Sequence, residues 1–429
     1  MPARNRPRGR RYCGFAMRRH SRSRSSSSGG EVSREAWTRL FACTGAAALL
    51  QLDGTLITVA LPSVARGLHV SSASTAVVLS AYFGAYAIVL LPGGALVDRF
   101  GARRCSLVGL ALFGIGAGAG ALTSSIGALI ATRVVQGVGA GLVSPAALAG
   151  AVSGFPPERR GSALGIWGAS AGVSNLVGPL LGGLLTVSLG WRAAWWALVP
   201  LALIAAAAIA REMPATLHGE EAVERPPTLN RVVMAATLVA ALTFAVMIGC
   251  FYLASQYLQK SAGFSALGAS AALVIVALLV GAAAPLTGRL VDEHGERLPA
   301  MLGFVLAAGG LAVLAIPGMP LASLVTILPL VPVGLGLGML FVPTSRAALN
   351  ATPLASHGRT SAILSVGRLL GAGIGAGLGG AVLAGGTDAS TVHSAMLIGC
   401  ILCLVVGIPA ATRLGATRGG VASGARATG

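Results

Sequence analysis

"GALVDRFGARR", residues 94–104, and "GRLVDEHGERL", residues 288–298, decide the architecture. The two stretches align residue for residue through Gly94/Gly288, Leu96/Leu290, Asp98/Asp292, Gly101/Gly295 and Arg103/Arg297. Each interrupts a long apolar run at the same place in its half of the chain. A weaker match pairs "SNLVGPLLGG" (174–183) with "GRLLGAGIGA" (367–376) at nearly the same spacing. A unit repeated in parallel across both halves of an apolar chain is the ground plan of rocking transporters.

The rest of the chain places that repeat in a membrane. It has 429 residues, 55% hydrophobic and only 10% charged, against the roughly 25% charged residues of a soluble domain. Within lipid only helices and closed barrels satisfy their backbone groups. The apolar runs are about 20 residues long, the length of a spanning helix and not of the alternating strands of a barrel. They fall at 38–63, 74–96, 104–123, 127–150, 162–187 and 193–210, then at 232–257, 266–288, 298–317, 321–343, 360–384 and 393–412. The expected fold is all-α, with 12 transmembrane helices in two pseudo-symmetric six-helix halves. The halves are expected at 37–210 and 232–412, joined by a polar linker over 211–231 and flanked by tails at 1–36 and 413–429.

Charge sets the orientation. Loops on the side of the termini hold Arg99, Arg103, Arg104, Arg159, Arg160, Arg211, Arg225, Arg231, Arg289, Arg297, Arg346 and Arg359, whereas the other side holds Arg66, Arg192 and Lys260. The positive-inside bias then puts both termini in the cytoplasm. The net charge of +18 owes much to nine arginines within residues 1–24, followed by "SRSRSSSSGG". That low-complexity segment reads as a disordered tail able to touch anionic lipid, with no nucleic-acid partner implied. It lacks the apolar core of a cleavable signal peptide, and Met17 is an alternative start. The six cysteines, including the Cys400/Cys403 pair, read as small buried hydrophobes, with no metal site.

Ionisable groups inside a membrane are costly and mark function. Of the thirteen acidic residues only Asp53, in "LLQLDGTLITVALP" (49–62), falls in the middle of a span. All six histidines lie in the tail or at loops and helix ends, so Asp53 is the leading site for a carried proton or a cationic substrate. Arg133 and Arg368 are the basic residues inside spans. Either could pair with Asp53, and Arg368 could equally receive an anionic substrate. Gln136, Asn175, Gln256 and Gln259 are candidate cavity lining, or bonds between helices.

Several motifs resemble the major facilitator superfamily, and within it the drug:proton antiporters. "GGALVDRFGARR" resembles the superfamily's motif between the second and third helices. The resemblance assigns a cytoplasmic gate to Gly94, Asp98, Arg99, Gly101, Arg103 and Arg104, with Asp292 and Gly295 in the second copy, where Glu293 and Leu298 depart from the pattern. "RVVQGVGAG" resembles the helix-4 motif, which associates Arg133 with proton coupling. "GASAGVSNLVGPLLGG" is similar to the helix-5 antiporter motif, carried by Gly178, Pro179, Gly182 and Gly183. "LDGTLITVALP" and "GWRAAWWALVP" resemble the branch usually described with 14 spans, although 12 are expected here.

The resemblance implies a multi-pass plasma-membrane protein and not an enzyme. It would export drug-like molecules or secondary metabolites by alternating access, using the proton gradient and no cofactor. The expected partners are substrate, protons and lipid, and the expected state is a monomer. A narrow transporter of an amino acid, sugar or other metabolite is the alternative of the same fold, and a membrane sensor or scaffold the alternative of another class. "GASAG" (168–172) fits the hydrolase pattern Gly-x-Ser-x-Gly but has no strand before it. No Gly-x-x-x-x-Gly-Lys occurs, so the chain carries no Walker-type ATP site.

Overall fold

The structure is a computed structural model describing residues 32–156, 159–215, 229–318, 327–353, 356–386 and 388–415. The Arg-rich tail before residue 32, most of the linker, and the C-terminal tail after 415 lie outside the described residues.

Twelve helical segments are long and apolar enough to cross a membrane. The first six are α1 (Arg34–Leu68), α2 (Ser72–Phe100), α3 (Ala102–Leu122), α4 (Ile126–Val152), α5 (Arg160–Leu189) and α6 (Arg192–Glu212). Serines cap three of their N-termini: Ser33, Ser71 and Ser125 each accept a bond from a backbone N–H of the first turn. The second set begins with α7 (Arg231–Lys260), α8 (Ala266–His294) and α9 (Arg297–Leu314). It continues with α10 (Ile327–Gly338), α11 (Phe341–Asn350), α12 (His357–Val382) and α13 (Ala389–Leu402). A π-turn over Cys403–Gly407 joins α13 to α14 (Ile408–Ala411), which completes the last span.

The tenth span differs from the expected uninterrupted run over 321–343. It breaks at Met339–Leu340, between α10 and α11. Pro343 falls in the first turn of α11, where its missing N–H is tolerated at a helix start but cannot continue a helix from before. The helix then runs on to Asn350, so Arg346, expected in a loop, is helical. Several other helices also outrun their apolar cores; Arg66, for instance, sits in the last turn of α1.

Packing relies on small residues, because lipid supplies no hydrophobic drive between helices. Gly109 of α3 and Gly139 of α4 face each other's backbone: a methyl on Gly109 would lie 2.6 Å from the Gly139 carbonyl, and one on Gly139 2.5 Å from that of Gly109. Gly137 abuts the Tyr82 carbonyl of α2 in the same way. In the second set, Gly371 and Gly375 of α12 close on the backbone of α7 at Ala241 and Ala245. The two sets meet where α2 packs on α12, α5 on α8, and α1 on α7.

The sequence repeat is also a repeat in geometry. Gly101 closes α2 with φ +87°, its N–H bonded to the Val97 carbonyl at 2.8 Å. Gly295 closes α8 with φ +76°, its N–H on the Val291 carbonyl at 2.9 Å. Only glycine takes that left-handed turn without strain, which explains the residue type at both places.

Candidate functional site

Asp53 lies near the middle of α1, and its carboxylate is completely buried. Arg133, reaching across from α4, is equally buried and donates from Nη1 to both carboxylate oxygens at 2.8 Å. The same nitrogen donates to Gln136 Oε1 at 3.1 Å, and Nε to the Val78 carbonyl of α2 at 3.4 Å. The guanidinium lies over the Tyr82 ring, 4.2 Å from its centroid. A desolvated cation in that position gains about 2 kcal/mol from the ring face. Tyr82 is itself held by a 2.9 Å bond from its hydroxyl to the Leu50 carbonyl. Three helices thus enclose one ion pair with an aromatic floor.

Two donors in this nest have no acceptor: Arg133 Nη2 and Gln136 Nε2 are buried without a hydrogen-bond partner. Burying an ion pair costs several kcal/mol per charge, recovered only when every donor and acceptor is served. Here two donors find no protein acceptor, so the pair recovers only part of that cost from the side chains around it. Protonating Asp53 would cancel the attraction and release Arg133.

Arg368 was one possible counter-ion for Asp53, and the structure gives that role to Arg133 instead. Arg368 stands in α12 and donates from Nη2 to Ser345 Oγ of α11 at 3.0 Å. The candidate cavity residues also divide. Gln136 belongs to the buried nest. Gln256 and Gln259, buried on α7, bond across to the first six helices instead of lining a cavity. Asn175 is half-buried on α5.

The bonds of Gln256 and Gln259 belong to a seam at the end of the molecule remote from the described chain ends. Gln259 Nε2 donates to the Val59 carbonyl at 3.0 Å, and Ser255 Oγ to the Thr58 carbonyl at 3.2 Å. Gln256 Nε2 donates to Thr75 Oγ1 at 3.2 Å, and Lys260 Nζ to Ser72 Oγ at 2.8 Å. The Tyr252 hydroxyl bonds to the Ser72 carbonyl. Gly183 and Gly380 tighten the same end against Ser270 and Ala76. In the helix-5 motif, Gly178 and Gly182 seat α5 directly on Thr55 and Leu56, two and three residues after Asp53, and Pro179 lies between them.

The two repeated loops differ in their bonds. In the second copy, Asp292 pairs with Arg346 of α11, whose Nε is also 3.6 Å from Glu296. In the first, Arg103 donates to the Ala210 carbonyl of α6 at 2.6 Å, and Arg99 lies over the Phe100 ring. Gly94 faces open space. Tyr82 and Arg346 were missed by sequence reasoning. A lone Tyr in an apolar helix carries no signal of its partner, and Arg346 was counted as a loop charge. Among the described residues no group of three His, Cys, Asp or Glu side chains could hold a metal.

A bundle of twelve spans in two repeated sets, with an ion pair buried in one of them, defines a membrane transporter. The chain belongs to the Major Facilitator Superfamily, whose family model matches residues 43–376. It is therefore a multi-pass membrane transporter of small molecules and not an enzyme. It is 30% identical to the puromycin resistance protein of Streptomyces alboniger over 416 residues, covering 82% of this chain and 83% of that one. An uncharacterized MFS-type transporter of Mycobacterium tuberculosis is 41% identical over 190 residues, 44% of this chain and 33% of that protein's length. The fold matches the crystal structure of a bacterial homologue of the human lysosomal transporter Spinster, inward-facing and unoccupied. The TM-score is 0.71 at 17% identity, covering 90% of this chain and 98% of that one.

Proposed function

We propose that the chain exports drug-like molecules or secondary metabolites across the plasma membrane in exchange for protons, with both termini in the cytoplasm. The observation that carries the proton-coupling reading is the fully buried Asp53–Arg133 pair. A carboxylate so placed has two stable conditions, charged against Arg133 or protonated and released. Rocking of residues 37–210 against 232–412 about the linker would expose it to one face and then the other. One charge crossing 100 mV is worth about 2.3 kcal/mol, enough to drive cargo uphill. The resistance function named for the Streptomyces relative supports an exporter. The seam between α1, α2 and α7 holds the face remote from the termini closed in this conformation.

The experiment is uptake of puromycin and of a cationic dye into everted membrane vesicles, for the native protein and Asp53→Asn at equal expression, with and without an uncoupler. Uptake that collapses with uncoupler and is missing in Asp53→Asn is the expected result. Uncoupler-sensitive uptake that persists in Asp53→Asn would make the pair structural and move coupling elsewhere. Native uptake indifferent to the uncoupler would refute proton exchange.

A further inference from the structure

The charges in the middle of the membrane do not balance. Asp53 and Arg133 cancel each other, while Arg368, midway along α12, has no carboxylate within ion-pair distance among the described residues. A lone guanidinium in this setting is costly and faces a cavity or a partner.

Its surroundings supply more than charge. Along α12, Leu370, Ile374 and Leu378 form an exposed apolar row, and Gly371 and Gly375 form the row against α7. Arg368 belongs to neither row; it turns to Ser345 of α11, 3.0 Å away. One helical turn before Ser345 stands Phe341, whose ring meets that of Phe244 on α7 with centroids 5.6 Å apart and planes at 58°. All four residues are half-buried, so each keeps a face open to something other than protein.

We propose that Arg368, Ser345, Phe341 and Phe244 form a subsite for cargo bearing a carboxylate on a planar aromatic ring. The guanidinium presents a planar fork of donors matched to a carboxylate. The Ser345 hydroxyl steadies that fork and adds a donor of its own. The tilted phenyl pair offers faces and edges to a ring held beside it. The anion supplies the counter-charge that the protein withholds, so the bound state is the one in which this half of the membrane domain is neutral. A cationic group is repelled at Arg368, so a cationic cargo would seat its charge elsewhere, towards Asp53. The inference rests on the exporter reading for the direction of transport, but binding itself does not depend on proton coupling.

The test uses the full-length protein in lipid nanodiscs and three matched probes, 2-naphthoate, 2-naphthamide and 2-naphthylmethylammonium, with affinities read by calorimetry. Native protein should prefer naphthoate over naphthamide by about tenfold or more, as a charge-assisted bidentate contact outweighs a neutral one. Arg368→Gln should erase that preference, weakening naphthoate about tenfold more than naphthamide. Arg368→Lys should keep part of it, and Phe244→Leu should weaken naphthoate and naphthamide alike. If Arg368→Gln does not fold, Ser345→Ala, which should reduce the preference severalfold, serves in its place. Equal binding of the three probes, a preference for the ammonium, no saturable naphthoate binding, or a naphthoate preference surviving in Arg368→Gln would each overturn the proposal. The uncoupler and Asp53→Asn results in vesicles test the exporter reading separately, whichever way the naphthoate preference falls.

Discussion

Replacing Asp53 by Asn keeps the size of the side chain and removes its charge, which isolates what the pair contributes. In the native protein one Arg133 nitrogen serves both carboxylate oxygens and Gln136, while Nη2 has no acceptor. Asn offers one oxygen and no charge, so a guanidinium with no exposure is left uncompensated. Removing one partner of a buried pair costs about 3–5 kcal/mol. Replacing both, as Asp53→Asn with Arg133→Met, removes the stranded charge and leaves a flexible thioether over the Tyr82 ring. The double variant should therefore recover most of the loss, to within about 1 kcal/mol of the native protein. The assay is unfolding free energy in mixed micelles for all four members of the cycle. A single variant that loses less than about 1 kcal/mol would mean that water reaches the pair. A double variant no more stable than the single would refute the stranded-charge argument. Uptake in vesicles completes the test: the double variant should fold yet fail to couple, since no carboxylate remains in the nest.

Three further outcomes follow from the packing and the seam. Gly139→Val should push α4 off the Gly109 backbone of α3 and cost about 1–3 kcal/mol or abolish folded yield, read as monodisperse protein recovered in detergent. Tyr252→Phe combined with Gln256→Leu should weaken the remote seam by about 1 kcal/mol per lost bond, and spin labels at Leu68 and Ala262 should report a larger population of long distances. Asp292→Asn should change stability by less than about 1 kcal/mol, because the pair with Arg346 is exposed and Glu296 stays close, and a larger loss in thermal melts would contradict that.

The spans were legible because lipid leaves a helix few options, and apolar runs cut by Gly, Pro and charge are visible without knowing their neighbours. The repeated loop was legible because Gly101 and Gly295 need a backbone turn that other residues avoid. Asp53 and Arg133 stood out one at a time, as charges where charges are costly. Their union did not, since they are 80 residues apart and nothing local distinguishes Arg133 from Arg368 as a partner. Gln256 and Gln259 look like cavity residues in sequence, and only the approach of α7 to α1 and α2 turns them into a seam. The break in the tenth span was available in Pro343, but that proline reads as an end until the helix beyond it is seen.

The remote seam has an unequal division of labour. α7 contributes five side-chain donors: Tyr252, Ser255 and Gln259 reach the carbonyls of Ser72, Thr58 and Val59, while Gln256 and Lys260 reach the hydroxyls of Thr75 and Ser72. Every residue has a carbonyl, so no substitution at Thr58 or Val59 can delete the acceptor, whereas one change on α7 deletes a donor. The first half is thus free to alter its side chains at Thr58 and Val59 without loosening the latch, though not at Ser72 and Thr75, whose hydroxyls are used. A chimera that took its first six helices from a divergent relative and kept α7 would retain the three carbonyl bonds there whatever stands at 72 and 75, whereas the reverse graft puts every donor at stake.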